Sequence, residues 1–219
     1  VWMKAREEEA DLHSICADMV FKEKWREADA DEKKKLRTAI KTINFGLAYG
    51  MSKFKLADTL QISVDEAEAL IKQYFTEFPK IGGFLNILGE YGKQHGFIRT
   101  FTPYRRIRWF ENWRSGMSPK KDFKELGAIE RASKNTPIQG TGADMIKLAM
   151  IKIRDHIQDH KFPAYMVTQV HDEIGVEVRD DVAEEWASIQ CRLMREAGEA
   201  IIADFPMGVD YTITKEWSK

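Results

Sequence analysis

Apolar residues recur at helical spacing through most of the chain and alternate with polar ones in one segment of its second half. The stretch SVDEAEALIKQYFTEF predicts a helix over about Val64–Phe78. Ser63 is a good N-cap, Glu66 stands where a capping box requires it, and Pro79 closes the run. Ala69, Leu70, Tyr74 and Phe78 form an apolar stripe that reads as core, and a second helix is expected from about Ile81 to Lys93. Arg37, Lys41, Phe45 and Tyr49 recur every fourth residue in RTAIKTINFGLAYG and share one face of a further helix. Pro137 and Gly140 interrupt helical spacing, so the next strong helix is expected from Gly142 to His160. In YMVTQVHDEIGVEV, two β-branched runs flank His171-Asp172-Glu173 and predict a strand–turn–strand hairpin over Tyr165–Val178. A helix from Val182 to Phe205 and a last strand near Val209–Ile213 complete the pattern, which is α+β and mostly helical.

Composition changes this picture little. A chain of 219 residues can bury a sizeable core, and 43% hydrophobic residues is ordinary for a globular protein. The net charge of −1, from 34 basic and 35 acidic residues, is not the basic footprint expected of many nucleic-acid binders. The basic residues are nevertheless clustered. Lys33, Lys34 and Lys35 lead towards the Arg37 helix, while Arg105, Arg106 and Arg108 lie beside Tyr104 and Trp109. Interleaved cations and aromatic rings suit single-stranded nucleic acid, and an exposed loop accounts for the same string. Asp31-Glu32 and Asp180-Asp181 read as solvated turns. Cys16 and Cys191 suggest neither a disulfide framework nor a zinc site and are expected to be buried thiols in an intracellular, reducing setting. No apolar run approaches the roughly 20 residues that cross a membrane, so no membrane partner is expected.

The Arg37–Tyr49 face carries two cations followed by two flat rings, over about 18 Å at a rise of about 1.5 Å per residue. That length suits a nucleoside triphosphate, with the cations on its phosphates and the rings beside base and sugar. A helix N-terminus at the cationic end would also favour anions. A surface helix with solvated charges satisfies the same spacing.

The pattern Arg-x3-Lys-x7-Tyr-Gly, with Phe45 between, resembles the nucleotide-binding fingers helix of the family A DNA polymerases, relatives of bacterial DNA polymerase I. NTPIQGTGADMIKLAM, Asn135–Met150, preceded by Arg131, resembles the palm helix that lies against the primer–template duplex in that family. QVHDE resembles the palm hairpin that carries a catalytic aspartate, and DLHSICADMVF, Asp11–Phe21, is also similar. The resemblance implies polymerase fingers helices plus part of an antiparallel palm sheet with packing helices. Residues 1–121 would form the fingers region with a short palm-to-fingers lead-in, and 122–219 the C-terminal part of the palm. A phage-type single-subunit RNA polymerase has a similar fingers helix, but Phe45, NTPIQGTGAD and the Gln before Val-His-Asp fit the DNA polymerases better.

The roles that follow are those the resemblance implies. The activity would be DNA-directed DNA polymerisation, the transfer of a nucleotide from dNTP to a primer 3′-hydroxyl with two Mg²⁺ ions. Arg37, Lys41, Phe45, Tyr49 and His13 would bind dNTP, and Lys41 would also stabilise the leaving pyrophosphate. Asp172, with Glu173 beside it, would be catalytic and hold metal. Arg131, Asn135, Gln139, Gln169, His171 and Gly50 would contact primer–template DNA. Asn and Gln suit the degenerate acceptors of the minor groove. Arg105 and Arg106 stand where the family shows a Gly-Arg-Arg run, although the string here is TPYRRIRWF.

One family motif has no counterpart. The other essential aspartate belongs to a string of the form Asp-Tyr-Ser-x-Ile-Glu-x-Arg, which is absent here together with the glutamate that packs near Tyr49 in sugar choice. Two ions about 3.5–4 Å apart need carboxylates from more than one strand. The expectation is therefore a partial polymerase that needs an upstream thumb and palm segment or a complementing chain. The alternative is a catalytically incomplete DNA-binding or interaction module. In either case part of the palm sheet would come from elsewhere, leaving a sheet edge and apolar surface exposed.

Overall fold

Residue-level caps and apolar spacing explain most of the helices. The computed structural model describes residues 11–216. Helix α1 (Leu12–Phe21) is capped by Asp11, α2 (Glu23–Glu27) is a single short turn, and α3 (Ala30–Ala48) is capped by Asp29, whose carboxylate accepts from the Glu32 amide at 2.8 Å. Ser52 caps α4 (Lys53–Leu60), and Ser63 and Glu66 form a complete capping box on α5 (Val64–Glu77). Pro79 ends that helix and opens the next, α6 (Pro79–His95), at a first-turn position where its missing N–H costs nothing. A short antiparallel hairpin follows, β1 (Phe97–Arg99) with β2 (Ile107–Trp109). Helix α7 (Phe123–His160), the hairpin β3 (Ala164–Val170) and β4 (Glu173–Val178), a 3₁₀ turn at Asp180–Val182 and α8 (Ala183–Ile201) complete the described elements. The protein is α+β and mostly helical, with two small antiparallel sheets among the described residues.

The chain divides into two compact units. The first runs to Thr100 and resumes over Arg106–Ile138; the second comprises Phe101–Arg105 and the residues from Gln139 on. In the first unit, Ile40, Ile43 and Leu47 of α3 pack with Cys16, Ala17 and Val20 of α1, Leu56 of α4, Tyr74 of α5 and Leu85 of α6. Of the stripe expected on α5, Tyr74 and Phe78 are buried, but Ala69 is exposed and Ala67 takes its place in the core. In the second unit, Ala149 and Ile153 of α7 pack with Ala164, Ile174 and, from α8, Trp186, Leu193 and Ala197. The Thr102 hydroxyl donates to the buried Asp144 carboxylate at 2.5 Å in the same unit. Cys16 and Cys191 are free and buried, as expected.

Several expectations are corrected. Helix α3 begins seven residues before Arg37, so Asp31, Glu32 and the three lysines are part of the helix and not an approach to it. The expected break near Pro137 is absent, and α7 continues through it. A mid-helix proline costs about 3 kcal/mol because it removes a hydrogen bond and crowds the preceding turn. Leu126, Ile129, Ser133 and Pro137 are all buried at helical spacing, and the Ser133 hydroxyl donates to the Ile129 carbonyl at 2.7 Å. That buried stripe holds the helical conformation against the local preference. Helix α8 ends at Ile201, short of Phe205. Residues 207–214 form no strand, having no ladder partner among the described residues. The β1–β2 hairpin was not legible, because its strands are three residues each and alternate poorly. On β3, Tyr165 is 74% exposed and Val167 54%, so apolar surface does face outward there.

Candidate nucleotide and nucleic-acid sites

Helix α3 presents the cation–aromatic face in the first unit. Arg37, Lys41 and Phe45 lie one turn apart within the helix, and Tyr49 is its C-cap. Phe45 and Tyr49 are 53% and 49% exposed, uncommon for rings at the end of an otherwise well-packed helix. The expected help from the helix dipole is absent, since the dipole acts only within the first turn and Arg37 and Lys41 lie further along. Asp29, Asp31 and Glu32 occupy that terminus instead.

The two cations differ in their surroundings. Arg37 Nε donates to Asp11 Oδ2 at 2.5 Å and Nη2 to Asp11 Oδ1 at 3.0 Å, a forked pair. Asp11 also accepts from the His13 amide at 3.3 Å and the Ser14 hydroxyl at 2.5 Å, as the cap of α1. Arg37, with these further donors, holds the Asp11 carboxyl well below the usual carboxylate range. The Lys41 side chain is exposed and has no hydrogen-bond or ion-pair partner among the described residues.

His13 is held by a relay that the sequence reading did not identify. The Tyr74 hydroxyl donates to Asn44 Oδ1 at 2.8 Å, and Asn44 Nδ2 donates to His13 Nδ1 at 3.1 Å. An amide N–H at Nδ1 assigns the ring proton to Nε2, so the imidazole is neutral and presents a donor on its other edge. Burial, aided by the nearby Arg37 charge, lowers the His13 pKa below its ordinary value. The ring lies 5.8 Å from that of Phe45, centroid to centroid. Asn44 sits beside Phe45 in the sequence, but nothing local marks it as the link between Tyr74 and His13.

Where α3 ends, Gly50 takes φ +70°. A Cβ there would stand 2.7 Å from Arg131 Cγ and 3.1 Å from Arg131 Cα, so glycine permits both the turn and the close approach of α7. A cavity of about 350 Å³ opens beside it, lined by Tyr49, Gly50, Met51, Ser52, Lys55 and Arg131. Three sequence-predicted residues thus meet in one place, with Ser52 and Lys55 added by the structure. Arg131 and Asn135 share a face of α7 in the first unit; Gln139, the next residue of the expected series, opens the second. Arg105 is exposed with φ +44° in the second unit, and Arg106 is exposed in the first, its amide donating to Thr100 Oγ1 at 3.0 Å.

In the second unit, β3 and β4 are joined by a two-residue turn of His171 and Asp172, with a register irregularity between Met166 and Thr168. His171 takes φ +55°, and its carbonyl accepts from Gln169 Nε2 at 2.6 Å, which folds that side chain back over the turn. Asp172 and Glu173 are exposed at the tip, and no described residue pairs with either carboxylate. Their hard oxygens suit Mg²⁺. Among the described residues, however, no cluster of three acidic, histidine or cysteine side chains could hold a metal ion.

Comparison with known proteins sets this geometry in context. Residues 2–219 match the family described as DNA polymerase family A. The chain is 35% identical over 183 residues to the thermostable DNA polymerase I of Thermus filiformis, covering 84% of this chain and 20% of that protein. It is 32% identical over 216 residues to DNA polymerase I of Bacillus caldotenax, covering 98% of this chain and 23% of that one. It therefore spans about a fifth of the length of these relatives. Among solved structures it is similar to the POL domain of Pol1 from M. smegmatis in complex with DNA primer-template and dNTP, with TM-score 0.75 and 32% identity over 89% of this chain and 32% of that one. Among the described residues, no helix is long and apolar enough to cross a membrane.

Proposed function

This chain belongs to DNA polymerase family A, and we propose that it serves DNA-directed DNA polymerisation, a nucleotidyl transfer from dNTP to a primer 3′-hydroxyl. In this reading residues 1–121 are fingers with a short lead-in, and 122–219 are the C-terminal part of the palm. The observation that carries the proposal is the exposed face of α3, with a Lys41 that has no partner among the described residues followed by two exposed rings, in the same unit as the cavity formed with Gly50 and Arg131.

The chain's own groups divide the work. Lys41 meets the β- and γ-phosphates and stabilises charge on the departing pyrophosphate. Arg37 exchanges its Asp11 partner for phosphate oxygens, to which its fork is equally suited. His13 donates from Nε2, and Phe45 and Tyr49 border base and sugar. Arg131 and Gly50 contact the template, and Asn135 and Gln139 meet minor-groove acceptors. Gln169 and His171 approach the primer end, and Arg105 and Arg106 meet the DNA backbone. Asp172 and Glu173 are the side chains of this chain that would hold Mg²⁺ once a further carboxylate completes the site. Mg²⁺, when bound, neutralises phosphate charge and lowers the pKa of the attacking hydroxyl.

A second reading has one observation in its favour. Asp172 and Glu173 have too few metal-binding neighbours among the described residues for a two-ion site. The polymerase proposal therefore requires a carboxylate from a further polymerase segment or a complementing chain, and this chain alone would be inactive. A catalytically incomplete DNA-binding or interaction module needs no such carboxylate. The test is primer extension with Mg²⁺ and dNTPs, with the chain alone and after adding an upstream family A polymerase segment. Extension that needs the added segment and is lost with Asp172→Ala supports the proposal. Duplex binding without extension under either condition supports the module.

A further inference from the structure

The β1–β2 hairpin carries its rings on the wrong side for a structural role. In an antiparallel pair, directly opposed residues share a face. The register pairs Phe97 with Trp109 and Arg99 with Ile107, while Ile98 pairs with Arg108. On the second face Ile98 is buried, and Arg108, though exposed, turns towards α7, its Nη1 donating to Thr136 Oγ1 at 3.1 Å. On the opposite face Arg99, Ile107 and Trp109 are exposed, while the Phe97 ring is half-buried between Trp109 and Tyr91 of α6. Trp109 is 66% exposed, although hydrophobic patterning would place a polar side chain there.

These rings continue onto α6. Tyr91 and His95, one turn apart, stack at 4.1 Å with planes 17° apart, and Tyr91 meets Phe97 edge-on at 5.6 Å. Phe97 lies 5.0 Å from Trp109, and the Arg99 guanidinium sits 5.5 Å from the Phe97 ring. The result is a row of flat rings flanked by a cation. None of the six residues Tyr91, His95, Phe97, Arg99, Ile107 and Trp109 is acidic. Lys93 is not part of this row, because Glu90 and Glu130 hold its ammonium.

We infer that this outward face of the β1–β2 hairpin and the end of α6 is a stacking platform for single-stranded DNA, separate from the α3 face and the Gly50–Arg131 cavity. Every base has a π-face, so exposed rings beside a cation bind a single strand with little sequence preference. Charge complementarity favours this occupant over a second copy of the chain, whose apolar patch would bring a second Arg99 to the same contact. The inference rests on nucleic acid being this protein's ligand and not on its catalytic competence. It also revises the cluster expected from sequence, because Arg108 faces α7 and Arg99 supplies the cation beside the rings.

The test is fluorescence anisotropy of labelled oligo(dT) with the full chain across a salt series, alongside primer extension. Trp109→Ala should weaken oligo(dT) binding about tenfold, the loss expected when one stacking partner is removed. Trp109→Phe should retain most of the affinity. Arg99→Ala should reduce the slope of log affinity against log salt by about 0.7, as for one fewer contact to a single strand. Lys80→Ala, an exposed cation at the start of α6, should change neither. Wild-type binding of oligo(dT) by Trp109→Ala would overturn the inference. So would loss of self-association in that variant with oligo(dT) binding intact, since the face would then join copies of the chain. Absent primer extension even after an upstream family A polymerase segment is added, with these binding effects present, removes the catalytic reading and leaves the platform standing.

Discussion

Asp11 grips Arg37 through both carboxylate oxygens, 26 residues apart in sequence, while also capping α1. A cation proposed to hold triphosphate is thus already occupied by an internal anion in the ligand-free protein. We predict that Asp11→Asn, which keeps a good cap but removes the charge, tightens dNTP binding several-fold while costing no more than about 1 kcal/mol, the contribution of a partly exposed ion pair. Asp11→Ala should tighten it similarly but cost about 1 kcal/mol through the lost cap. Titration of each variant with dNTP, followed by intrinsic fluorescence, provides the check; weaker binding by the Asn variant would rule out the competition. The Asp11 carboxyl is depressed in the folded state, so its contribution to stability is present above its ordinary value of 3.8 and is lost as pH falls through the lower folded value.

His13 is the next pH-sensitive group. Burial and Arg37 lower its pKa, so the folded state favours the neutral ring that the Asn44 amide requires. The sign follows from the unfolded chain binding the proton more readily. Stability from this site is present above about pH 6.5 and declines as pH falls below it. His156, lowered by burial and then by His160, contributes in the same direction. Denaturant unfolding of His13→Gln between pH 7.5 and 5.5 should show a shallower decline than wild type. Parallel curves would show that His13 carries no such linkage.

Gly50→Ala should destabilise the protein. An L-residue at φ +70° costs about 1–2 kcal/mol, and the added methyl would also press on the Arg131 backbone. Thermal unfolding should report a loss of at least about 1 kcal/mol, with weaker template binding because the cavity is distorted. An unchanged melting temperature would mean that the turn relaxes freely.

Asp172→Ala and Lys41→Ala should separate function from folding. Both side chains are exposed and have no partner among the described residues, so each change should alter stability by less than about 0.5 kcal/mol. In the complemented assay, Asp172→Ala should abolish extension while leaving duplex binding close to wild type. Lys41→Ala should raise the dNTP concentration needed for half-maximal extension. Undiminished extension by Asp172→Ala would remove it from the metal site, and an unaltered dNTP dependence would remove Lys41 from the phosphates.

What the amino-acid order determined by itself was whatever depends on near neighbours. The capping box of Ser63 and Glu66, the four-residue recurrence from Arg37 to Phe45 and the hairpin around His171-Asp172 arise from interactions within one or two turns, and all were legible. Tertiary structure decided the rest. Local preference stops a helix at Pro137, yet burial of Ile129, Ser133 and Pro137 carries α7 through it. The Asp11–Arg37 fork and the Tyr74–Asn44–His13 relay join residues 26 to 31 positions apart, which no local periodicity encodes. The outward row of rings on β1–β2 was hidden for the same reason. Whether Trp109 meets solvent or core depends on the partner strand and on α7 beneath it.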